Sequence, residues 1–139
     1  DELERQLRRF DELAGAPPTH LDSHHHVHRD PRLEPAFARF GKRHYLPLRD
    51  HAAPHCGLFY ARWDGGTRLE QVGVAKLLEI LDGLDDGVSE LGCHPGYADG
   101  LVSSYTVERE HELRTLTDPR VQAHVAELGI QLIGWAEPA

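Results

Sequence analysis

A chain of 139 residues, 40% of them hydrophobic, is long enough for a core of ordinary domain size and is expected to fold as a single domain over 1–139. Its formal charge of −8, with no Lys/Arg run longer than two residues, excludes the electrostatic footprint of a nucleic-acid binder. No apolar stretch approaches the roughly 20 residues of a membrane span and no charged-then-apolar leader is seen. With only two cysteines, Cys56 and Cys93, the expectation is a cytoplasmic protein with reduced thiols.

Residues 1–14 place Leu3, Leu7, Phe10 and Leu13 at helical intervals with Gly15 behind them, which predicts an amphipathic helix. Pro17 and Pro18 stop it. The next run, THLDSHHHVH (19–28), concentrates five of the eleven histidines and has no helical apolar stripe. Read as a strand, it sets His20, Asp22, His24, His26 and His28 on one face and Leu21, Ser23, His25 and Val27 on the other. Pro31–Phe40 predicts a short helix ended by Gly41, and Tyr45–Leu48 a strand fragment.

The stretch 49–66, with Pro54, Gly57, Gly65 and Gly66, reads as a loop. Thr67 and Glu70 predict a capping box for a helix that buries Val72, Leu77, Leu78 and Leu81 and closes at Gly83. Residues 87–93 predict a strand running into the sharp turn His94-Pro95-Gly96. Helices are expected over 107–116 and 119–128, the second capped by Asp118 with Pro119 at its first position, and a strand over 130–135. Helices and strands thus alternate, which favours α/β layering around a parallel sheet.

Histidines two apart on a strand face lie roughly 6–7 Å from Cα to Cα, so neighbours can reach one ion. Imidazoles with one carboxylate are the ligand set of zinc and related divalent ions, and an open coordination position gives hydrolytic chemistry. The competing reading is a set of solvated or hydrogen-bonded histidines. His94, at a strand-to-loop switch, is a candidate general acid near neutral pH, or else a plain turn histidine. Glu90 is placed to orient an imidazole or to remain a solvated strand-edge acid. Trp63 offers a face for sugar stacking, whereas Trp135 reads as core. The runs 1–9 and 108–114 read as solvated acid/base helix faces without a role in a site.

Together PTHLDSHHHVH (18–28), ELGCHPGY (90–97) and the ER…EL pattern over Glu108–Leu113 resemble the YdjC-like carbohydrate deacetylases, the group that includes chitooligosaccharide and hopanoid-associated deacetylases. The resemblance covers essentially the whole chain but only the C-terminal half of that family's domain. It implies part of a (β/α) barrel of the polysaccharide-deacetylase type, and a hydrolase that removes an acetyl group from an N-acetylated sugar with one divalent ion, magnesium or zinc. It implies His24 as the metal ligand and His94 as catalytic acid or orienter. His20, Asp22, His26, His28, Glu90 and Trp63 are further candidates for ligand replacement, support or substrate contact.

The family's remaining ligands, an Asp of an Ala-Asp-Asp-Phe-Gly strand and a His of a Gly-x-His strand, have no counterpart here. Asp85-Asp86-Gly87 follows a helix and does not replace the first of them. The chain also lacks any methionine, position 1 included, so a fragment of a longer deacetylase is expected. Part of a barrel leaves sheet edges open, which predicts homo-oligomers or association with the missing half. The alternative is a non-catalytic sugar-binding or assembly module derived from the same fold.

Overall fold

A computed structural model describes residues 2–136. The chain divides into two compact units, residues 1–54 with 133–139, and residues 55–132. Helices and strands are both present, as the α/β reading requires, but they do not alternate strictly, and the described strands are short: a parallel pair, an antiparallel pair and an isolated parallel bridge. No barrel closes among the described residues.

The first unit opens with α1 (Glu2–Ala14) and continues to α2 (Glu34–His44). Gly41 does not end α2. The helix runs on to His44, and Tyr45 takes the left-handed cap position at φ 56°. The glycine serves a close approach instead, since a Cβ there would stand 2.8 Å from the Leu46 carbonyl oxygen. Leu21 and Leu48 form the parallel bridge, with Leu21 N–H donating to Pro47 O at 2.8 Å and Arg49 N–H to Leu21 O at 3.0 Å. This bridge is all that the expected strands at 19–28 and 45–48 become.

From His24 to Arg29 the chain is a kinked 3-10 segment, with His25 (φ 54°, ψ 26°) and His26 (φ 53°, ψ 35°) both left-handed. Two such residues break the period-2 alternation, so the expected single face of five donors does not form.

In the second unit β1 (His55–Cys56) pairs in parallel with β4 (Glu90–Leu91), His55 facing Glu90 and Cys56 facing Leu91. β2 (Arg62–Trp63) and β3 (Gly66–Thr67) make a hairpin inside the stretch expected to be loop. Its two-residue turn is Asp64-Gly65, both at positive φ (51° and 78°), which suits a right-twisted hairpin. Phe59, Ala61, Val72, Leu77, Ile80, Leu81, Tyr105 and Val121 form the buried core. The expected capping box is absent: Leu69–Val72 is a 3-10 turn, and α3 (Val74–Asp82) has Gly73 as its N-cap.

Two helices fall where the sequence predicts them. α4 spans Val107–Leu116, and α5 spans Pro119–Glu127 with the Asp118 carboxylate accepting the Arg120 N–H at 2.9 Å. The strand expected at 130–135 is absent. Gly129 (φ 67°) turns the chain left-handed at the end of α5. No helix of the described residues is long and apolar enough to cross a membrane.

Candidate functional site

Each unit carries one histidine turn. In the first unit Asp22, His26 and His28 each bring a ligand atom within 4.8 Å of the others. Two left-handed histidines in succession are strained backbone, of order 1–3 kcal/mol each, which persists only where surrounding contacts fix it.

The fixing contacts centre on His28, whose side chain is buried (0% exposed). Its Nδ1 lies 2.5 Å from Ser23 Oγ and its Nε2 2.8 Å from Asp50 Oδ2, while its backbone N–H donates to the same Ser23 oxygen at 3.0 Å. In the neutral ring, Ser23 donates to Nδ1 and the Nε2–H donates to Asp50. Arg29 completes the bracket by donating to both Asp50 oxygens, from Nε at 2.6 Å and Nη2 at 2.8 Å. Asp22 accepts the Ser23 N–H at 2.7 Å and Arg49 Nη1 at 2.7 Å.

Of the five residues expected on one face, three come together. His24 is exposed and meets the edge of His25 at 4.1 Å between ring centroids. His20 stacks on Trp135 at 4.8 Å and 14° and lines a groove of about 280 Å³ along α1. One carboxylate and two imidazoles fit a divalent ion in donor chemistry and in spacing. Loading it requires His28 to release one of its two ring hydrogen bonds.

In the second unit β4 delivers the chain to the exposed His94 turn. α4 grips that turn. Glu112 accepts the His94 backbone N–H, Arg109 Nη1 donates to His94 O at 3.3 Å, Gly96 N–H donates to Arg109 O at 3.3 Å, and Ala98 N–H donates to Glu110 at 3.3 Å. The other Glu112 oxygen accepts the Tyr105 hydroxyl, which itself accepts the Ala61 N–H at 3.2 Å. Burial, then the hydrogen bond to Glu112, pushes the Tyr105 hydroxyl well above the ordinary phenol range, so it stays a donor. The Tyr105 ring lies 5.6 Å from the His94 ring and stacks on Tyr60 at 5.3 Å.

Expected as a solvated face, α4 instead buries Glu108 (1% exposed), Glu112 (0%) and Thr115 (3%). Their i, i+4, i+7 spacing is that of an inward stripe, disguised in the sequence by its acidic members. Burial pushes the Glu108 carboxyl up, but the Thr67 hydroxyl at 2.5 Å, backbone N–H groups and Arg62 outweigh it and leave it below its ordinary value. The Thr67 hydroxyl is thus spent on α4, away from any helix cap. Glu90 stands 3.6 Å from His55 Nδ1. Gly92 passes so close to His55 that a Cβ would meet its ring at 2.9 Å. Trp63 is 46% exposed, its indole fixed by Nε1–H donating to Tyr60 O at 2.9 Å. Neither cysteine is in a disulfide.

A family model described as YdjC-like protein matches residues 1–127. The chain is 37% identical over 146 residues to a carbohydrate deacetylase of Geobacillus stearothermophilus, covering 98% of this chain and 58% of the relative. It is 37% identical over 144 residues to a chitooligosaccharide deacetylase of Yersinia pestis strain Pestoides F, covering 94% and 57%. The fold superposes with a TM-score of 0.79 and 25% identity on a protein of Enterococcus faecalis V583 described as a candidate cellobiose-phosphate cleavage protein, over 95% of this chain and 57% of that one. The chain therefore spans less than three-fifths of the length of these relatives, at 58%, 57% and 57%. Matched along its length by this family model, the chain belongs to the YdjC-like family.

Proposed function

We propose that this chain serves a carbohydrate N-deacetylase, a hydrolase that takes the acetyl group from an N-acetylated amino sugar. The observation that carries the reading is the His94 turn, held by a buried carboxylate in a chain 37% identical to a carbohydrate deacetylase. In the reaction, water adds to the acetamide carbonyl carbon and gives up one proton, the C–N bond breaks, and the departing nitrogen takes up one proton, leaving acetic acid and the amine. His94 supplies that proton: a ring nitrogen of imidazole can carry and release one, and this residue is exposed. Trp63 offers its exposed face to a pyranose ring.

Asp22, His26 and His28 are the residues that would hold a divalent ion, magnesium or zinc, with His24 the ligand that the family resemblance favours. When bound, such an ion supplies Lewis acidity toward the acetamide carbonyl. Native mass spectrometry of the chain, alone and with His24→Ala or His26→Asn, tests this half: loss of the ion in both variants supports the shared site, and binding unchanged in both rejects it. Acetate release from a chitooligosaccharide, strongly lowered in His94→Ala, tests the other half.

A second reading, a non-catalytic sugar-binding module, is favoured by the exposed aromatic pair Tyr60 and Trp63, whose rings meet edge-on at 6.5 Å. Sugar affinity lost in Trp63→Ala, with no acetate release in the metal-loaded wild type, would support it.

A further inference from the structure

Glu112 does something an apolar residue could not. A carboxylate with no exposed surface sits in the core and takes donors from two different elements, the His94 backbone N–H and the Tyr105 hydroxyl. Burying a carboxylate is unfavourable unless its hydrogen bonds are made, and packing alone would be served as well by leucine. What the carboxylate contributes is direction.

The turn it holds cannot hold itself well. Pro95 has no N–H, so the peptide after His94 has no donor of its own to lock the turn. α4 supplies the lock from outside: Glu112 takes the N–H of the peptide before His94, and Arg109 gives a hydrogen bond at 3.3 Å to the carbonyl of the peptide after it. Fixing the peptides on both sides of one Cα fixes where its Cα–Cβ bond points. The same Glu112 anchors the hydroxyl of Tyr105, whose ring lies 5.6 Å from the imidazole at 60°.

We propose that Glu112 is a positioning residue, whose carboxylate sets both the backbone of His94 and the aromatic wall beside it, so that the imidazole is presented in one orientation. The proposal rests on the reading of His94 as proton donor, but its geometric part is tested without catalysis. α4 provides the control. Glu108 lies one turn earlier, is equally buried, and holds Thr67 and the Thr106 N–H but nothing of His94.

Amide hydrogen exchange, read by NMR on the whole chain in wild type, E112Q and E108Q, separates the two carboxylates. The His94 amide is expected to exchange about tenfold faster in E112Q, because the neutral amide oxygen of glutamine accepts its hydrogen bond more weakly than the carboxylate. In E108Q it is expected to keep its wild-type rate after correction for global stability. Unchanged exchange at His94 in E112Q, or an equal acceleration in E108Q, would overturn the proposal.

Should E112Q not fold, Tyr105→Phe removes one hydroxyl from the same carboxylate. It is expected to speed His94 exchange by a smaller factor, and an unchanged rate there also counts against the proposal. Where acetate release is measurable, E112Q is expected to lower kcat with KM unchanged; a raised KM at unchanged kcat would point to substrate binding and sink the positioning role. Absence of acetate release in the wild type would defeat the deacetylase reading alone, leaving the exchange comparison to decide whether Glu112 positions His94.

Discussion

The turn around His24–His28 is held through the ring of one of its own histidines, whereas the turn at His94 is held through its backbone by a helix that follows it in sequence. In the first, Ser23, His28, Arg29 and the sequence-distant Asp50 bracket one another beside left-handed His25 and His26. In the second, Pro95 and Gly96 leave few donors, and α4 provides the hydrogen bonds through Glu112, Arg109 and Glu110. A turn held through its ring spends that histidine on structure, while a turn held through its backbone leaves the imidazole exposed to solvent. His28 is buried and His94 is open.

The largest expected effect separates these roles. His94→Ala should lower acetate release by about 10²–10⁴, the usual contribution of general acid–base catalysis, with thermal stability near wild type. A comparable loss of stability would collapse the contrast. His28→Ala should do the opposite and destabilise folding by about 2–4 kcal/mol in denaturant titration, because it empties a buried ring site and strips two hydrogen bonds from Ser23 and Asp50. His24→Ala, in an exposed ring, should leave stability within about 0.5 kcal/mol and be read only through ion content.

Two smaller tests sharpen the comparison from outside the turns. Gly41→Ala should destabilise the first unit by about 1–2 kcal/mol, its steric conflict exceeding the gain in helix propensity. The conflict is with backbone, the Leu46 carbonyl 2.8 Å from the added Cβ. An unchanged midpoint would show that Leu46 yields freely.

The least effect is acid-dependent. The Arg120 side chain, then its backbone N–H, hold Asp118 down from 3.8 to about 2. A depressed carboxylate stabilises the fold above its unfolded value and loses that contribution as pH falls through its folded one. Amide protection in the first turn of α5 should therefore decline between about pH 4 and 2. Protection unchanged across that range would remove the cap from the account.

α5 was legible because its signals are local: Asp118 as cap and Pro119 at the first position. Where a residue had a better tertiary use, local signals misled. Thr67 and Glu70 spell a capping box, yet the Thr67 hydroxyl bonds to Glu108. Asp64-Gly65 is a strong hairpin signal overlooked inside a glycine-rich loop. Histidine alternation at 20–28 suggests a strand only if every residue is extended, and His25 and His26 are not. For the candidate site, His94 and the donors Asp22, His26 and His28 could be named from composition and motif. Glu112, Tyr105 and Asp50 could not, because an acid or a phenol on a polar stretch gives no sign of burial.

The left-handed pair at His25 and His26 also restricts which sequences the segment can accept. That backbone excludes β-branched side chains and favours glycine, asparagine, aspartate and histidine. A substitution there changes a side chain and a conformational preference together. Valine would be rejected on shape before its chemistry mattered, while asparagine could keep the bend and surrender only the imidazole. For these two positions, asparagine rather than alanine is the replacement that isolates what the ring contributes.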